Sequence, residues 1–314
     1  MSVAPRTVVV IRNPTARRAP SEDALRRETL EHLVSAGWSV DIQTTEAPGH
    51  ATVLAARAAA AGVEVVAACG GDGTVHEVVN GIVGTGTALA VLPAGTLDVW
   101  AREARIPRTL AGAVALIPHA RRVRIDVGRV RSDAGLDRRF LLMCGVGMDA
   151  EAVRRLHVGS RGKRWFGMVT YVAVAAWVMV RAAPTPARVR IGAVTLERPL
   201  LQLIAGNTRL YGVTRLTAGA RVDDGLLDVC MFSGGGLWHR AILAARALWG
   251  GLDARAGGGI DYLRGTRMHI DADRPLPVQA DGEYIGETPV SIDVDPEALD
   301  VLIARAPNML LAGG

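Results

Sequence analysis

The chain has 314 residues, which is longer than a single hydrophobic core usually grows, so two domains are expected. Hydrophobic residues make up 49% and charged residues 21% of it, a balance that excludes an intrinsically disordered chain. The net charge of +5 favours anionic partners such as a nucleotide or a phospholipid surface. Nucleic-acid binding is not expected, because no dense Lys/Arg block with interleaved aromatic residues occurs.

The first third of the sequence alternates strand patterns with helical patterns. Apolar runs at residues 7–11, 63–68 and 89–92, and an alternating run around Val40 and Ile42, predict four strands. Helical patterns lie between them at residues 21–35 and 51–61. Strands that alternate with helices predict a parallel sheet built from βαβ units, so an α/β domain is expected over residues 1–121.

From residue 122 onward the sequence is richer in strands and in glycine-containing turns. Strands are predicted at residues 122–131, 140–144, 188–191, 200–205 and 226–232, interrupted by apolar helices at 166–180 and 237–248. The stretch at 166–180 is shorter than the ~20 residues of a membrane-spanning helix, and it is expected to be a core helix or, alternatively, a lipid-facing one. A β-rich second domain is therefore predicted over residues 122–294. The segment 295–314, with an apolar strand at 298–303, is expected to return to the first domain.

The three cysteines indicate the redox environment. Cys69, Cys144 and Cys230 lie in or beside apolar runs and form no CxxC pair. This odd, scattered set argues against a disulfide framework or a zinc site, and it favours buried thiols in a reducing compartment. The N-terminus shows no signal-peptide pattern, so a cytoplasmic location is expected.

The most informative segment is Gly-Gly-Asp-Gly-Thr at residues 70–74, between a strand pattern and a helix pattern. Val75, Val78, Val79 and Ile82 form one apolar stripe, which predicts a helix directly after the glycines. Glycines at a helix N-terminus let the backbone approach a ligand closely, and the N–H groups there favour phosphate. The chain contains no GxxxxGKS or GxxxxGKT sequence, so this loop is not a P-loop.

Polar residues of the same segment extend the prediction. Thr74 can cap the helix, with Glu77 completing a capping box three residues later. Asp72 beside phosphates is explained by a bound Mg²⁺ or by a substrate hydroxyl. His76 falls opposite the apolar stripe and is expected to be exposed.

The segment resembles the GGDGTxxEVxNG signature of the diacylglycerol kinase catalytic-domain family, which includes bacterial lipid kinases and the sphingosine and ceramide kinases. The likeness extends over nearly the whole chain. Further family motifs are matched by Asn13-Pro14, Thr44-Thr45 with residues 48–51, residues 92–96 with Ala101-Arg102, residues 145–149, Gly206-Asn207, residues 223–228 and residues 281–283.

The resemblance implies a two-domain fold with a shared ligand site. An α/β nucleotide-binding domain, with a parallel sheet similar to that of phosphofructokinases, is expected to precede a β-sandwich domain, with ATP in the cleft between them. It also implies ATP and Mg²⁺ as cofactors and a membrane lipid as substrate. The residues that it assigns to the ATP and Mg²⁺ site are Asn13, Thr45, Gly70, Gly71, Asp72, Gly73, Thr74, Glu77, Gly95 and Thr96.

Two later acidic motifs receive roles from the same resemblance. Asp281 is expected to be the general base on the lipid hydroxyl, with Glu283 in support, and Asp72 is the rival for that role. Without the resemblance, the Asp-Gly pair at 281–282 is a common hairpin turn. The residues expected to hold a structural Mg²⁺ are Arg221, Asp224 and Leu226, the first and last through their backbone carbonyls.

The sequence departs from the family pattern at two places in the first domain. Arg17 and Arg18 follow Asn13-Pro14, where the family has a Ser/Gly/Lys-containing stretch; they are expected to meet phosphates or to be solvated. Asp98 stands where the family has Asn in the PxGTxNxxAR motif. Facing phosphates, its charge would weaken ATP binding; facing solvent, it would have no effect.

The sequence therefore predicts a lipid kinase that contacts the membrane peripherally, and a homodimer is compatible with it. Arg161, Lys163 and Arg164 are the residues expected to face anionic headgroups. A kinase of a soluble substrate, similar to NAD kinases, is the first alternative. A nucleotide- or lipid-binding protein without turnover is the second. The identity of the lipid is left open.

Overall fold

A computed structural model of the chain describes residues 6–159, 178, 181–212, 214–233, 260–305 and 310–311. The strands are β1 (Arg6–Arg12), β2 (Trp38–Thr44), β3 (Val65–Gly70), β4 (Ala88–Pro93), β5 (Arg121–Arg131), β6 (Asp137–Phe140), β7 (Met143–Gly147), β8 (Thr185–Ile191), β9 (Val194–Gly206), β10 (Leu227–Ser233), β11 (Ile260–Gly265), β12 (Arg267–Ala272), β13 (Pro277–Ala280), β14 (Glu283–Glu287) and β15 (Val290–Ile303). The helices are α1 (Glu22–His32), α2 (His50–Ala60), α3 (Asp72–Ile82), α4 (Val99–Glu103), α5 (Leu110–Leu116) and α6 (Met148–Gly159).

The chain divides into two compact units. The first comprises Met1–Val127, Val222–Asp224 and Pro296–Gly314, and the second comprises Gly128–Arg221 and Gly225–Asp295. Residues 122–127 and 222–224 thus lie in the first unit, outside the ranges expected for it. Asp126 explains this placement, because its N–H donates to Val222 O (2.6 Å) and its Oδ1 accepts the N–H of Glu297 (2.8 Å).

The first unit is an α/β structure with a parallel sheet, as predicted. Its strand order is β2-β1-β3-β4, continued by the C-terminal end of β15, and every one of these pairs is parallel. All six residues of β3 are buried, which is the reason why that strand appears in the sequence as a continuous apolar run. Because the strands are parallel, the loops that follow β1, β3 and β4 meet at one edge of the sheet.

The second unit is β-rich, as predicted, and its strands pair antiparallel. The order β14-β13-β7-β9-β8-β12 continues into the N-terminal end of β15, while β10 pairs with β9 and β11, and β6 pairs with the end of β5. Along β8, buried and exposed residues alternate, so one face packs on the core and the other faces water. Phe140, Leu203, Val229, Met268 and Ile292 belong to that core.

Some predicted elements fall largely where nothing is described. The helix predicted at 237–248 lies outside the described residues, as do Arg161, Lys163 and Arg164. The helix predicted at 166–180 does so too, apart from Val178, which is helical and buried. Among the described residues, no helix is both long enough and apolar enough to cross a membrane. Cys69, Cys144 and Cys230 are buried and form no disulfide.

Candidate functional site

The loop after β1 begins with Asn13, whose side chain joins two segments. Its Nδ2 donates to Thr74 Oγ1 (3.0 Å) at the start of α3, and its Oδ1 accepts the N–H (2.9 Å) and the hydroxyl (2.8 Å) of Thr15. The backbone N–H of Asn13 donates to Cys69 O (2.9 Å) in β3. The NP motif is therefore fixed against the glycine loop through both its main chain and its side chain.

The glycine loop leads into α3 one turn earlier than the capping prediction required. Gly71 is the N-cap residue, without a side-chain cap bond, and the helix begins at Asp72. The predicted capping box of Thr74 and Glu77 is wrong. Thr74 lies inside the first turn, and Glu77 Oε2 accepts the N–H of Ala51 (3.0 Å), so this carboxylate caps α2 instead. One side chain thus joins the middle of α3 to the N-terminus of α2.

The glycine loop packs directly on the loop after β4. A Cβ atom on Gly95 would lie 2.6 Å from Gly71 Cα and 2.6 Å from Asp98 Oδ1. The N–H of Ala94 donates to Gly70 O (2.8 Å). The two loops approach so closely because neither Gly71 nor Gly95 carries a side chain.

Asp72, the acidic residue of the glycine loop, also contacts the loop after β4. Asp72 Oδ1 accepts the N–H of Val99 (2.8 Å), the first residue of α4. Asp72 is half-buried, Gly73 and Thr96 are exposed, and Gly70 is buried. Exposed and half-buried positions at the sheet edge are the ones that a ligand can reach.

Thr45 lies at the same edge of the sheet, at the carboxyl end of the outer strand β2. It follows β2, is half-buried, and donates its N–H to Arg12 O at the end of β1 (2.9 Å). The structure thus brings the predicted nucleotide-site residues of the first unit, apart from Glu77 within α3, to the carboxyl ends of four neighbouring strands. His76 is buried (4% exposed), so the expectation that it is exposed is wrong.

This edge of the first unit has the properties of a phosphate site. The N-terminal N–H groups of α3 carry no side-chain cap, and such groups together with the helix dipole attract anions. The glycines leave room for a ligand that contacts main-chain atoms. A half-buried carboxylate, Asp72, adds the hard oxygen ligand that Mg²⁺ prefers.

Arg18 and Asp98, two of the residues that depart from the family pattern, contact each other. Asp98 is 3% exposed and forms an ion pair with the Arg18 guanidinium, so it does not face solvent. Sequence reasoning treated the two residues separately, because they are 80 positions apart in the chain. Their joint departure from the family pattern was the one signal that could have connected them.

In the second unit, Asp281 and Gly282 form the two-residue turn between β13 and β14. Both have positive φ angles, 48° and 87°, as a type I′ hairpin turn requires. The carboxylate of Asp281 reaches back to the start of β7. It accepts the N–H groups of Leu141 (2.7 Å), Leu142 (2.8 Å) and Met143 (2.9 Å).

The segment 141–143 is held from its carbonyl side as well. Asn207, which is fully buried, donates its side-chain Nδ2 to Leu141 O (3.0 Å) and its N–H to Leu142 O (2.9 Å). The Gly206-Asn207 and Asp281-Gly282-Glu283 motifs therefore converge on one backbone segment. Glu283 opens β14 and is half-buried.

Asp149 is the centre of a buried polar network. Its Oδ2 accepts Gln279 Nε2 (2.9 Å) and Tyr211 Oη (3.0 Å), its Oδ1 accepts Ala150 N–H (2.7 Å), and its own N–H donates to Gln202 Oε1 (3.1 Å). Burial raises the pKa of Asp149, and the bonds from Gln279 and Tyr211 oppose that rise. Asp149 ends the motif matched at residues 145–149, but the sequence offered no signal for its three side-chain partners, Gln202, Tyr211 and Gln279.

Gln279 connects this network to the Asp281 turn, since its Oε1 accepts the N–H of Gly282 (2.8 Å).

The residues expected to hold a structural Mg²⁺ are divided between the units: Asp224 belongs to the first, and Arg221 and Leu226 to the second. Each of these three is half-buried.

Two family models match the chain. The diacylglycerol kinase catalytic domain matches residues 7–130, and the YegS C-terminal NAD kinase beta sandwich-like domain matches residues 143–303. Diacylglycerol kinase of Staphylococcus carnosus (strain TM300) is 25% identical over 288 residues, 90% of this chain and 90% of that protein. Diacylglycerol kinase of Bacillus subtilis (strain 168) is 27% identical over 285 residues, 89% of this chain and 90% of that protein.

Solved structures share the fold. A diacylglycerol kinase from Bacillus anthracis str. Sterne superposes with a TM-score of 0.74 at 20% identity, over 97% of this chain and 99% of that one. Yeast NADH kinase complexed with NADH superposes with a TM-score of 0.50 at 12% identity, over 97% of this chain and 85% of that one. At these identities the likeness establishes the fold alone.

Proposed function

Because the chain belongs to the diacylglycerol kinase catalytic-domain family, a family of kinases, we propose that it transfers the γ-phosphate of ATP to the hydroxyl group of a lipid. The observation that carries this proposal is the joined set of loops at the carboxyl ends of β1, β3 and β4. Asn13, Gly71, Asp72 and Gly95 meet there, beside the uncapped start of α3. That arrangement suits a polyphosphate, whose charge the N–H groups and the helix dipole stabilise.

The residues of the first unit would orient ATP. Gly71 and Gly73 would offer main-chain atoms to the phosphates, and Gly95 lets the loop after β4 pack closely on Gly71. Asn13 and Thr74 hold the loop after β1 against the glycine loop. Asp72 would hold Mg²⁺, an assignment that its half-buried carboxylate at the loop supports. When bound, Mg²⁺ neutralises part of the charge on the phosphate chain.

The acidic turn of the second unit would act on the acceptor. We propose Asp281 as the general base that takes the proton from the lipid hydroxyl, with Glu283 in support. The three N–H bonds that Asp281 accepts fix its carboxylate in one orientation, and a base must be held within hydrogen-bond reach of its proton. Asp72 is the alternative base.

The lipid acceptor is supported by the relatives, which are named diacylglycerol kinases. A soluble nucleotide acceptor is the second candidate, because the model for the second unit is described as NAD kinase-like. The pairing of Asp98 with Arg18 removes one reason to expect a protein without turnover. Peripheral membrane contact, a homodimer and the structural Mg²⁺ stay predictions from the sequence.

The experiment is transfer of ³²P from γ-labelled ATP with Mg²⁺ to a panel of acceptors. The panel contains diacylglycerol, a sphingoid base, ceramide, phosphatidylglycerol and a polyprenol in mixed micelles, together with NAD⁺ in solution. Wild type is compared with Asp281→Asn and Asp72→Asn, and thermal unfolding is recorded for each. Labelling of a lipid that both variants lose by about 10²-fold or more supports the proposal. Labelling of NAD⁺ alone would establish the soluble-substrate kinase, and binding of ATP without any transfer would refute the kinase.

A further inference from the structure

Arg18 contacts the loop after β4 at three points. Its backbone N–H donates to Ala94 O (2.9 Å), its Nε donates to Gly95 O (3.0 Å), and its Nη2 donates to Asp98 Oδ2. The guanidinium is about two-fifths exposed, whereas the Asp98 side chain is almost fully buried. Arg18 therefore covers a buried carboxylate and fastens the segment 13–18 to the same loop that packs on Gly71.

The backbone at position 98 explains why either Asn or Asp fits there. Asp98 has φ 46° and ψ 55°, the left-handed region that Asn and Asp tolerate best among residues with a side chain. Its Oδ1 accepts the N–H of Gly95 (2.8 Å), a bond that an Asn side-chain oxygen would accept equally well. The negative charge is therefore the property that Asp98 adds to this turn.

A buried negative charge at this position carries an electrostatic cost. Asp98 Oδ1 lies only 2.6 Å from the point that a Cβ on Gly95 would occupy, closer than van der Waals contact allows, so the carboxylate is part of the loop cluster proposed to hold phosphates. Unpaired, it would repel a polyphosphate and would be poorly solvated. The Arg18 guanidinium cancels this charge and supplies a hydrogen bond to it.

We propose that Arg18 and Asp98 are a positioning pair that sets the affinity of this protein for the phosphate chain of ATP. Arg18 neutralises Asp98 and clamps the far end of the segment 13–18, whose near end Asn13 fixes to Thr74. The proposal rests on the proposed function in one respect, that the ligand of these loops is ATP. Neither residue acts on the reacting atoms in this assignment.

The test is a double-mutant cycle at the pair. Arg18→Ala leaves the Asp98 charge uncovered, Asp98→Asn removes that charge, and the double variant Arg18→Ala/Asp98→Asn removes both charges. Arg18→Lys keeps the positive charge but lacks the planar fork that reaches Gly95 O and Asp98 together. Arg26→Ala is the matched control, because it breaks an exposed arginine–carboxylate pair with Glu22 on α1.

For each variant, KM for ATP, kcat, the dissociation constant of Mg-ATP by calorimetry and the thermal unfolding midpoint are measured. Arg18→Ala is expected to raise KM and the dissociation constant about tenfold, equivalent to about 1.4 kcal/mol, with a smaller change in kcat. The double variant is expected to recover most of the affinity that Arg18→Ala loses. Arg18→Lys, which keeps the positive charge, and Asp98→Asn, which removes the negative charge at its source, are expected to lose less affinity than Arg18→Ala, and Arg26→Ala is expected to stay within about threefold of wild type. Added salt is expected to weaken the Arg18→Ala effect, since screening reduces repulsion between charges.

Rescue by the second substitution is the decisive readout, because a purely structural loss would not be restored by removing another contact. Equal KM values in Arg18→Ala and the double variant would overturn the proposal, as would a tenfold rise in Arg18→Lys. If Arg18→Ala does not fold, the comparison of Arg18→Lys with the double variant still decides between these outcomes. Failure of wild type to bind Mg-ATP would instead refute the proposed function.

Discussion

The two units position their motif residues by different means. In the first unit the motif loops follow parallel strands, and two of them come into direct backbone contact where Gly71 meets Gly95. In the second unit the motif carboxylates themselves hold segments together by accepting hydrogen bonds. Asp281 accepts three backbone N–H groups, and Asp149 accepts bonds from Gln279 and Tyr211.

The difference determines which substitutions each unit tolerates. A site built from backbone contact is sensitive to the size of a side chain, because an added Cβ must displace main-chain atoms. A site built from carboxylates that accept N–H bonds is sensitive to donor and acceptor identity, because an amide group of the same shape turns an acceptor into a donor.

The largest effect is expected for Gly95→Ala in the first unit. The new Cβ would lie 2.6 Å from Gly71 Cα and 2.6 Å from Asp98 Oδ1, so the two loops must separate. A displacement of about 1 Å at a reacting site costs about 10²-fold, and we expect a loss of that size in kcat/KM for ATP. Gly86→Ala is the control, because a Cβ there meets nothing within 4 Å. Equal activity of the two variants would show that close backbone contact is not required.

The fold was predictable where one physical signal dominates. The buried strand β3 produces a continuous apolar run, and the apolar stripe from Val75 to Ile82 predicts the course of α3, so the α/β character of the first unit followed from local patterns. The resemblance then indicated which loops carry the site residues, and the parallel sheet brings those loops to one edge.

Contacts between distant side chains could not be predicted in this way. The capping box at Thr74 and Glu77 is a sound local pattern, but tertiary structure uses Glu77 to cap α2, 26 residues earlier in the chain. His76 is buried although it lies outside the main apolar stripe. The sequence could not predict this, because an apolar stripe locates one buried face of a helix and does not exclude a second. The Gln202 and Tyr211 contacts of Asp149 span 53 and 62 positions, and they leave no mark on local sequence.

A smaller effect, on stability, is expected for Asp281→Asn in the second unit. Both oxygens of Asp281 accept N–H groups, so the amide nitrogen of Asn must face a backbone donor. Asn tolerates the positive φ of residue 281. The substitution therefore adds no backbone strain, and the change in stability reports the hydrogen-bond conflict alone. We expect a loss of about 1–3 kcal/mol in the free energy of unfolding, measured by urea titration.

Asp72→Asn is the matched comparison in the first unit. An Asn side chain there can still accept the Val99 N–H through its oxygen, so its unfolding free energy is expected to fall less than that of Asp281→Asn. A larger loss at position 72 than at position 281 would reverse the distinction between the two units.

The smallest effect concerns pH and compares two buried carboxylates of the second unit. Burial opposes ionisation of Asp293, but hydrogen bonds from Arg131 and Arg267 outweigh it and hold its pKa below the usual value. A carboxyl group with a lowered folded-state pKa stabilises the fold above its unfolded pKa, about 3.9, and loses that contribution as the pH falls through the folded value. Asp293→Asn should therefore be less stable than wild type at neutral pH, with the difference shrinking below about pH 4.

Asp149 should show the opposite trend, because burial raises its pKa. The folded state then binds its proton more tightly than the unfolded state, so wild-type stability falls as the pH rises from about 4 through the raised value. Asp149→Asn lacks this loss, and its stability relative to wild type should improve over that window. Urea unfolding of both variants across the acidic range measures the two slopes. Asp293 has two charged donors, Arg131 and Arg267, whereas the side-chain donors to Asp149, Gln279 and Tyr211, are neutral. Slopes of the same sign for the two variants would mean that this difference in donor charge does not set the direction of the pH dependence.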